Sequence, residues 1–196
     1  VPAQALADFC REASQKAMVV IDEAYIDFLD HPETMSMVPL LKDCPNLVIL
    51  RTFSKIHAMA GLRVGYALGN PSLMEALDKN YFNYSQLSVS NLSLAAARVS
   101  LEDAAHRESC KLTNAEARDY MIRALSDLHL QAIPSHTNFI FFPLGNYPGD
   151  FARDMLARRV ILRSGHYADG QWARVSVGTL DEMKSCMRIM QSIWKA

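Results

Sequence analysis

The chain has 196 residues, half of them hydrophobic and 21% charged, a globular composition that excludes a disordered or fibrous chain. A formal charge of −1 gives no electrostatic reason for nucleic acid or an anionic membrane to bind, so neither is expected as a partner. No apolar run approaches the ~20 residues of a membrane span, and the N-terminus carries no signal-peptide pattern, so a cytoplasmic location is expected.

Helix and strand alternate through residues 1–70. "LADFCREASQK" reads as the end of a helix, and "AMVVID" as a short buried strand closed by acids. "NLVILRTFS" is a second apolar strand and "RVGYALG" a third. Short continuous apolar runs suit a parallel sheet covered on both faces, and the alternation predicts an α/β layer architecture. Asn70 followed by Pro71 marks a helix cap with proline in the first turn.

From Ser88 to His129 the sequence lacks proline and glycine and reads as almost wholly helical. Asn91 or Ser93 opens the first part, and Thr113 or Asn114 marks a break between two helices. Ala117, Tyr120, Met121, Ala124, Leu125 and Leu128 then form one stripe at helical spacing. "QAIPSHTNFIFFPL" is a strand interrupted early by Pro134, "GDFARDMLARR" a short helix, and "VILRSG" and "WARVSVG" two more strands, with "SGHYADGQ" as a loop. Thr179-Leu180-Asp181-Glu182 is a capping box opening a last helix that buries Met183, Cys186, Met187, Met190, Ile193 and Trp194. The second half is therefore expected to be an α+β unit, joined by a long helix to an α/β portion. Residues 1–90 and 91–196 are the expected division.

The four cysteines, Cys10, Cys44, Cys110 and Cys186, lie far apart without a C-x-x-C pair, and the six histidines are scattered. Neither a disulfide framework nor a metal site is expected. Chemistry concentrates elsewhere. Asp22 directly follows the apolar run "MVVI", at the carboxyl end of a strand, where open α/β sheets hold their ligands. Tyr25 follows on the loop that leaves that strand. Lys55, after "NLVILRTFS", should sit on the same edge, and an amine there with apolar neighbours suits Schiff-base chemistry. Thr52 and Ser54 offer hydroxyls to an anion, and Arg63 offers a planar fork that can clamp a phosphate. Each residue alone has an ordinary structural reading. Together they describe the protein half of a pyridoxal phosphate site: a lysine for the aldehyde, an acid for the ring nitrogen, and donors for the phosphate.

"VVIDEAYIDF" followed by "LRTFSKIHAMAGLRVGYALG" closely resembles the fold-type I aminotransferases, in particular the histidinol-phosphate aminotransferase group. The resemblance extends through "TNFIFF", "VILRSG" and "WARVSVGT". It implies that Lys55 forms the Schiff base with pyridoxal 5'-phosphate and carries the 1,3-proton shift. It implies that Asp22 pairs the pyridine nitrogen, that Tyr25 bonds the phenolic oxygen, and that Ser54 and Arg63, with Thr52, hold the phosphate. Arg174 matches the arginine that grips a substrate carboxylate, and Arg163 a second arginine associated with substrate phosphate. Asn138 falls near the substrate, with Asn83 a further candidate, while His57 reads as a loop histidine beside the lysine.

The implied activity is transfer of an amino group from an anionic or phosphorylated amine, of the histidinol phosphate type, to 2-oxoglutarate. Aromatic aminotransferases and an amino-acid-phosphate decarboxylase share the fold and are the alternatives. The family's phosphate-binding helix N-terminus, ring-stacking aromatic and N-P-x-x-P-T-G stretch have no counterpart here. The chain is therefore expected to be a C-terminal fragment: the end of the cofactor-binding large domain plus the small domain. By the same resemblance the full-length enzyme is expected to be a homodimer, and the chain alone to be catalytically incomplete.

Overall fold

The computed structural model describes residues 1–84 and 88–194, without the side chains of residues 82–84. The chain divides into two compact units, Val1–Glu108 and Ser109–Ala196.

The first unit opens with helix α1 (Ala3–Ala13), followed by strand β1 (Val19–Asp22). A short helix, α2 (Pro32–Met35), and a tight turn at Val38–Lys42 lead to β2 (Leu47–Thr52). Strand β3 (Gly65–Gly69) and helices α3 (Pro71–Tyr84) and α4 (Asn91–Glu102) follow. β1 and β2 are parallel, with Val19 against Leu47 and Asp22 against Leu50. β3 runs the other way, pairing Thr52 with Gly65 and Val48 with Gly69. This corrects the expectation of a wholly parallel sheet. The reversal lets residues 53–64 return to the sheet without a crossover.

One sheet face packs Val19, Leu47 and Ile49 with Cys10 of α1 and with Met37, Leu40 and Cys44 of the preceding turns. On the other face Val20 and Leu50 are exposed while Val48 beside them is buried, so that face is only partly covered within this unit. The strands are apolar on both faces all the same, which is why their sequence reads as fully buried. Asn70 caps α3 as expected, its side-chain oxygen accepting from the Ser72 amide at 3.1 Å.

The helical stretch breaks at Asp103, between α4 and α5 (Ala104–Ser126), and not at Thr113 or Asn114. Asp103 caps the second helix by accepting from the His106 amide at 2.9 Å. Asn114 lies buried inside α5 and donates to the Thr137 carbonyl. A short polar side chain serves either purpose, and only the local backbone path distinguishes them. The cap of α4 is Ser90, one residue ahead of the expected start, accepting from the Leu92 amide.

In the second unit β4 (Phe139–Gly145), β5 (Arg163–Tyr167) and β6 (Gly170–Ser176) form an antiparallel sheet in the order β4-β6-β5. Helix α6 (Phe151–Leu156) follows β4, and α7 (Leu180–Trp194) closes the described chain. Alternation along β4 turns Ile140, Phe142 and Leu144 inward. They meet Ala117, Met121 and Leu125 of α5, Phe151 and Met155 of α6, and Met183, Cys186, Met187, Met190 and Ile193 of α7. The predicted capping box is present: Glu182 accepts from the Thr179 amide at 2.7 Å, and Thr179 accepts from the Glu182 amide at 3.3 Å.

Two expectations shift in this unit. Strand β5 begins at Arg163, three residues later than "VILRSG" suggests, and "SGHYADGQ" is mostly strand. Tyr167 pairs with Gly170 across the two-residue turn Ala168-Asp169, a tight hairpin, and Gly170 resumes the strand at φ 124°. Among the described residues no helix is long and apolar enough to cross a membrane.

Candidate active site

Two strand ends meet at one rim of the first sheet. β1 stops at Asp22 and β2 at Thr52, both at their carboxyl ends. Asp22 is exposed, and its Oδ1 accepts from the Ala24 amide at 2.9 Å, which turns the chain out of the strand. Glu23 goes the opposite way. It is 6% exposed and accepts from the Met37 amide at 2.7 Å, from the Ser36 hydroxyl, and from Arg51 Nε and Nη2 at 3.1 and 2.8 Å. Arg51 precedes Thr52 in β2, so this buried pair ties the two rim strands together. Sequence reasoning passed over both residues. Their signal was two opposite charges, each set against an apolar strand.

Tyr25 is half-buried on the loop that leaves β1, and Lys55 half-buried on the loop that leaves β2. Lys55 Nζ stands 5.0 Å from the centroid of the Tyr25 ring. Between them and β3, residues 53–64 fold into a closed loop. The Phe53 amide donates to the Val64 carbonyl, Met59 to Phe53, and Ala58 to Lys55. Thr52 Oγ1 accepts from the Ser54 amide at 3.0 Å, bringing those two hydroxyl residues together. Arg63 is exposed in a left-handed conformation (φ 51°), with Nη1 donating to the Ala60 carbonyl at 2.9 Å. Gly65, two residues on, is required by close packing: a Cβ there would stand 2.8 Å from the Arg51 carbonyl oxygen.

His57 is not an open loop histidine. It is 7% exposed, with Nδ1 2.7 Å from the Ser100 hydroxyl and its ring 4.7 Å from that of Phe53. Burial pushes its imidazole below the ordinary value; Asp27 opposes this, while Arg107 and His106 add to it.

The remaining candidates belong to the second unit. Asn138, just ahead of β4, is half-buried, and its carbonyl accepts from the Val177 amide. Arg163 and Arg174 face each other directly across β5 and β6. Like charges in that position repel unless an anion joins them. Arg174 lies over the ring of Phe139, its guanidinium carbon 3.9 Å from the centroid, and its buried Nε has no hydrogen-bond partner among the described residues. A groove of about 580 Å³, between Arg159–Ile161 and the first turn of α7, contains none of these residues. The side chain of Asn83 lies outside the described residues.

Residues 3–189 match the model of the family described as aminotransferase class I and II. The histidinol-phosphate aminotransferase of Lysinibacillus sphaericus is 34% identical over 180 residues, covering 91% of this chain and 48% of its own length. That of Halalkalibacterium halodurans is 32% identical over 199 residues, covering 98% of this chain and 52% of its own. The histidinol-phosphate aminotransferase of Sinorhizobium meliloti, solved in complex with pyridoxal-5'-phosphate, superposes with a TM-score of 0.86 at 28% identity. It covers 100% of this chain, which in turn covers 53% of it. The chain spans about half the length of the curated relatives it matches.

Proposed function

The chain belongs to the aminotransferase class I and II family, and from that premise we propose that it carries the lysine-bearing portion of a pyridoxal-phosphate-dependent transaminase. The observation that carries the reading is the convergence at one rim: Lys55 Nζ over the Tyr25 ring, beside the strand end that bears Asp22.

The donor set suits the cofactor. Lys55 offers an amine, Tyr25 a phenol, Ser54 and Thr52 hydroxyls, and Arg63 a guanidinium of which one nitrogen is engaged with the Ala60 carbonyl. Asp22 spends Oδ1 on the Ala24 amide, which leaves Oδ2 to accept from a protonated ring nitrogen. Bound pyridoxal phosphate supplies an aldehyde for a lysine and a ring that draws electrons from the substrate's Cα. Lys55 Nζ would anchor the cofactor and would be the base that moves the proton at Cα. Asp22 keeps the ring nitrogen protonated. Tyr25 donates to the phenolic oxygen, and Ser54, Thr52 and Arg63 bind the phosphate.

Arg163 and Arg174, with Asn138, bind the substrate. Two opposed guanidiniums call for an anion, which favours a phosphorylated or carboxylated amine of the histidinol phosphate type, with 2-oxoglutarate as acceptor. In this reading residues 1–90 belong to the cofactor-binding large domain, and residues 91–196 are the interdomain helix and small domain. The enzyme is a cytoplasmic homodimer whose longer chain completes the site.

The test is to incubate the chain, and the longer enzyme that contains it, with pyridoxal phosphate, reduce with borohydride, and map the adduct by peptide mass spectrometry. One stoichiometric adduct on Lys55 of the longer enzyme, absent from Lys55→Ala, is expected. Scattered or absent labelling there would overturn the proposal. Glutamate formation from 2-oxoglutarate and histidinol phosphate tests the substrates, and carbon dioxide release would indicate the decarboxylase alternative.

A further inference from the structure

We infer that Phe139 is a positioning residue for Arg174, holding the guanidinium in place by its ring face so that the arginine's hydrogen-bond donors stay open to an anion. The inference rests on the reading of Arg174 as an anion-binding residue.

A buried or half-buried arginine in a folded protein is usually held by a carboxylate. Here Arg174 has none among the described residues, and its buried Nε is unpartnered. What lies against it is aromatic. In the β4–β6 register Phe141 pairs with Arg174 and Phe139 with Ser176, which puts Phe139 diagonally beside Arg174 on the same face of the sheet. The guanidinium carbon sits 3.9 Å from the Phe139 centroid, well within the range of attraction to the negative face of a ring. The two ways of holding an arginine differ in consequence. A carboxylate would fix the fork by occupying the N–H groups that an incoming anion needs. A ring fixes the plane of the fork and occupies none. Arg163, directly across from Arg174, adds a second cation and no counter-charge. The face thus carries two cations, one of them held by a ring, and among the described residues neither is paired with a carboxylate.

The experiment uses the 196-residue chain labelled with nitrogen-15 arginine, following the Arg174 Nε–H signal during titration with inorganic phosphate and, separately, glutarate at constant ionic strength set with chloride. In the wild type the signal is expected upfield, under the Phe139 ring, and to move saturably with either anion. Phe139→Leu is expected to lose the upfield shift and to weaken binding about 3- to 10-fold, while Phe139→Tyr and Phe139→Trp restore both. If Phe139→Leu fails to fold, Phe139→Met, which keeps the apolar volume, is read in its place. No response of wild-type Arg174 to either anion would overturn the anion-binding reading and this inference with it. A wild-type response that the leucine or methionine variant reproduces unchanged would overturn the role of Phe139 alone.

Discussion

Lys55 and Tyr25 stand on different loops, thirty residues apart in sequence, yet the amine rests 5.0 Å from the centre of the phenol ring. Ring face and hydroxyl can be separated by substitution. In the longer enzyme Lys55→Ala should abolish both the borohydride-trapped adduct and turnover. Tyr25→Phe should keep the adduct on Lys55 and lower turnover about 10- to 100-fold, since it removes one donor and leaves the ring. Adduct mapping beside steady-state kinetics checks this.

The buried Glu23–Arg51 pair should be costly to break. Glu23→Gln leaves Arg51 facing a neutral amide in a half-buried setting, and a loss of about 3 kcal/mol is expected. Arg51→Gln should cost a similar amount, and the double variant clearly less than the sum. Urea unfolding of the four proteins gives the cycle.

His57 makes stability depend on pH. Its folded pKa lies below the ordinary 6.5 of the unfolded chain. Between those two values the unfolded state binds more protons than the native state, so stability falls as the pH drops below about 6.5. Denaturation midpoints should therefore be lower at pH 5.5 than at pH 7.5, and His57→Gln should reduce the difference. An unchanged difference in that variant would assign the dependence to other groups.

Two glycines of the lysine-bearing segment should respond oppositely to alanine. Gly65→Ala sets a Cβ against the Arg51 carbonyl and should cost about 1–3 kcal/mol, because two backbones must part. Gly61→Ala meets nothing within 4 Å and should be neutral or stabilising by a few tenths of a kcal/mol. Thermal melts of the pair suffice.

What could be read from the sequence was local. Apolar runs located the strands, the Thr179–Glu182 spacing located the last helix, and the stripe Ala117–Met121–Leu125 located the inward face of α5. Lysine and aspartate after apolar runs were legible as strand-end residues for the same reason. The direction of β3 was not, because an apolar strand has the same composition whichever way it runs. The Glu23–Arg51 tie was hidden because its partners lie 28 residues apart and meet only after the strands pair. The role of Asp103 was hidden among several equally good capping residues. The stacking of Arg174 on Phe139 depends on a cross-strand diagonal that exists only once the register is set.

The direction of β3 has one more consequence. A strand parallel to β2 would have to start from the far rim of the sheet, and Arg63 would arrive there with it. Because the chain doubles back, Thr52 and Gly65 face each other as the two posts of one gate, and everything between them hangs from the same rim. The lysine and the guanidinium eight residues later are thus carried by a single short span fixed at both ends. A shift of either post would move both charges in concert, as a unit and not one at a time.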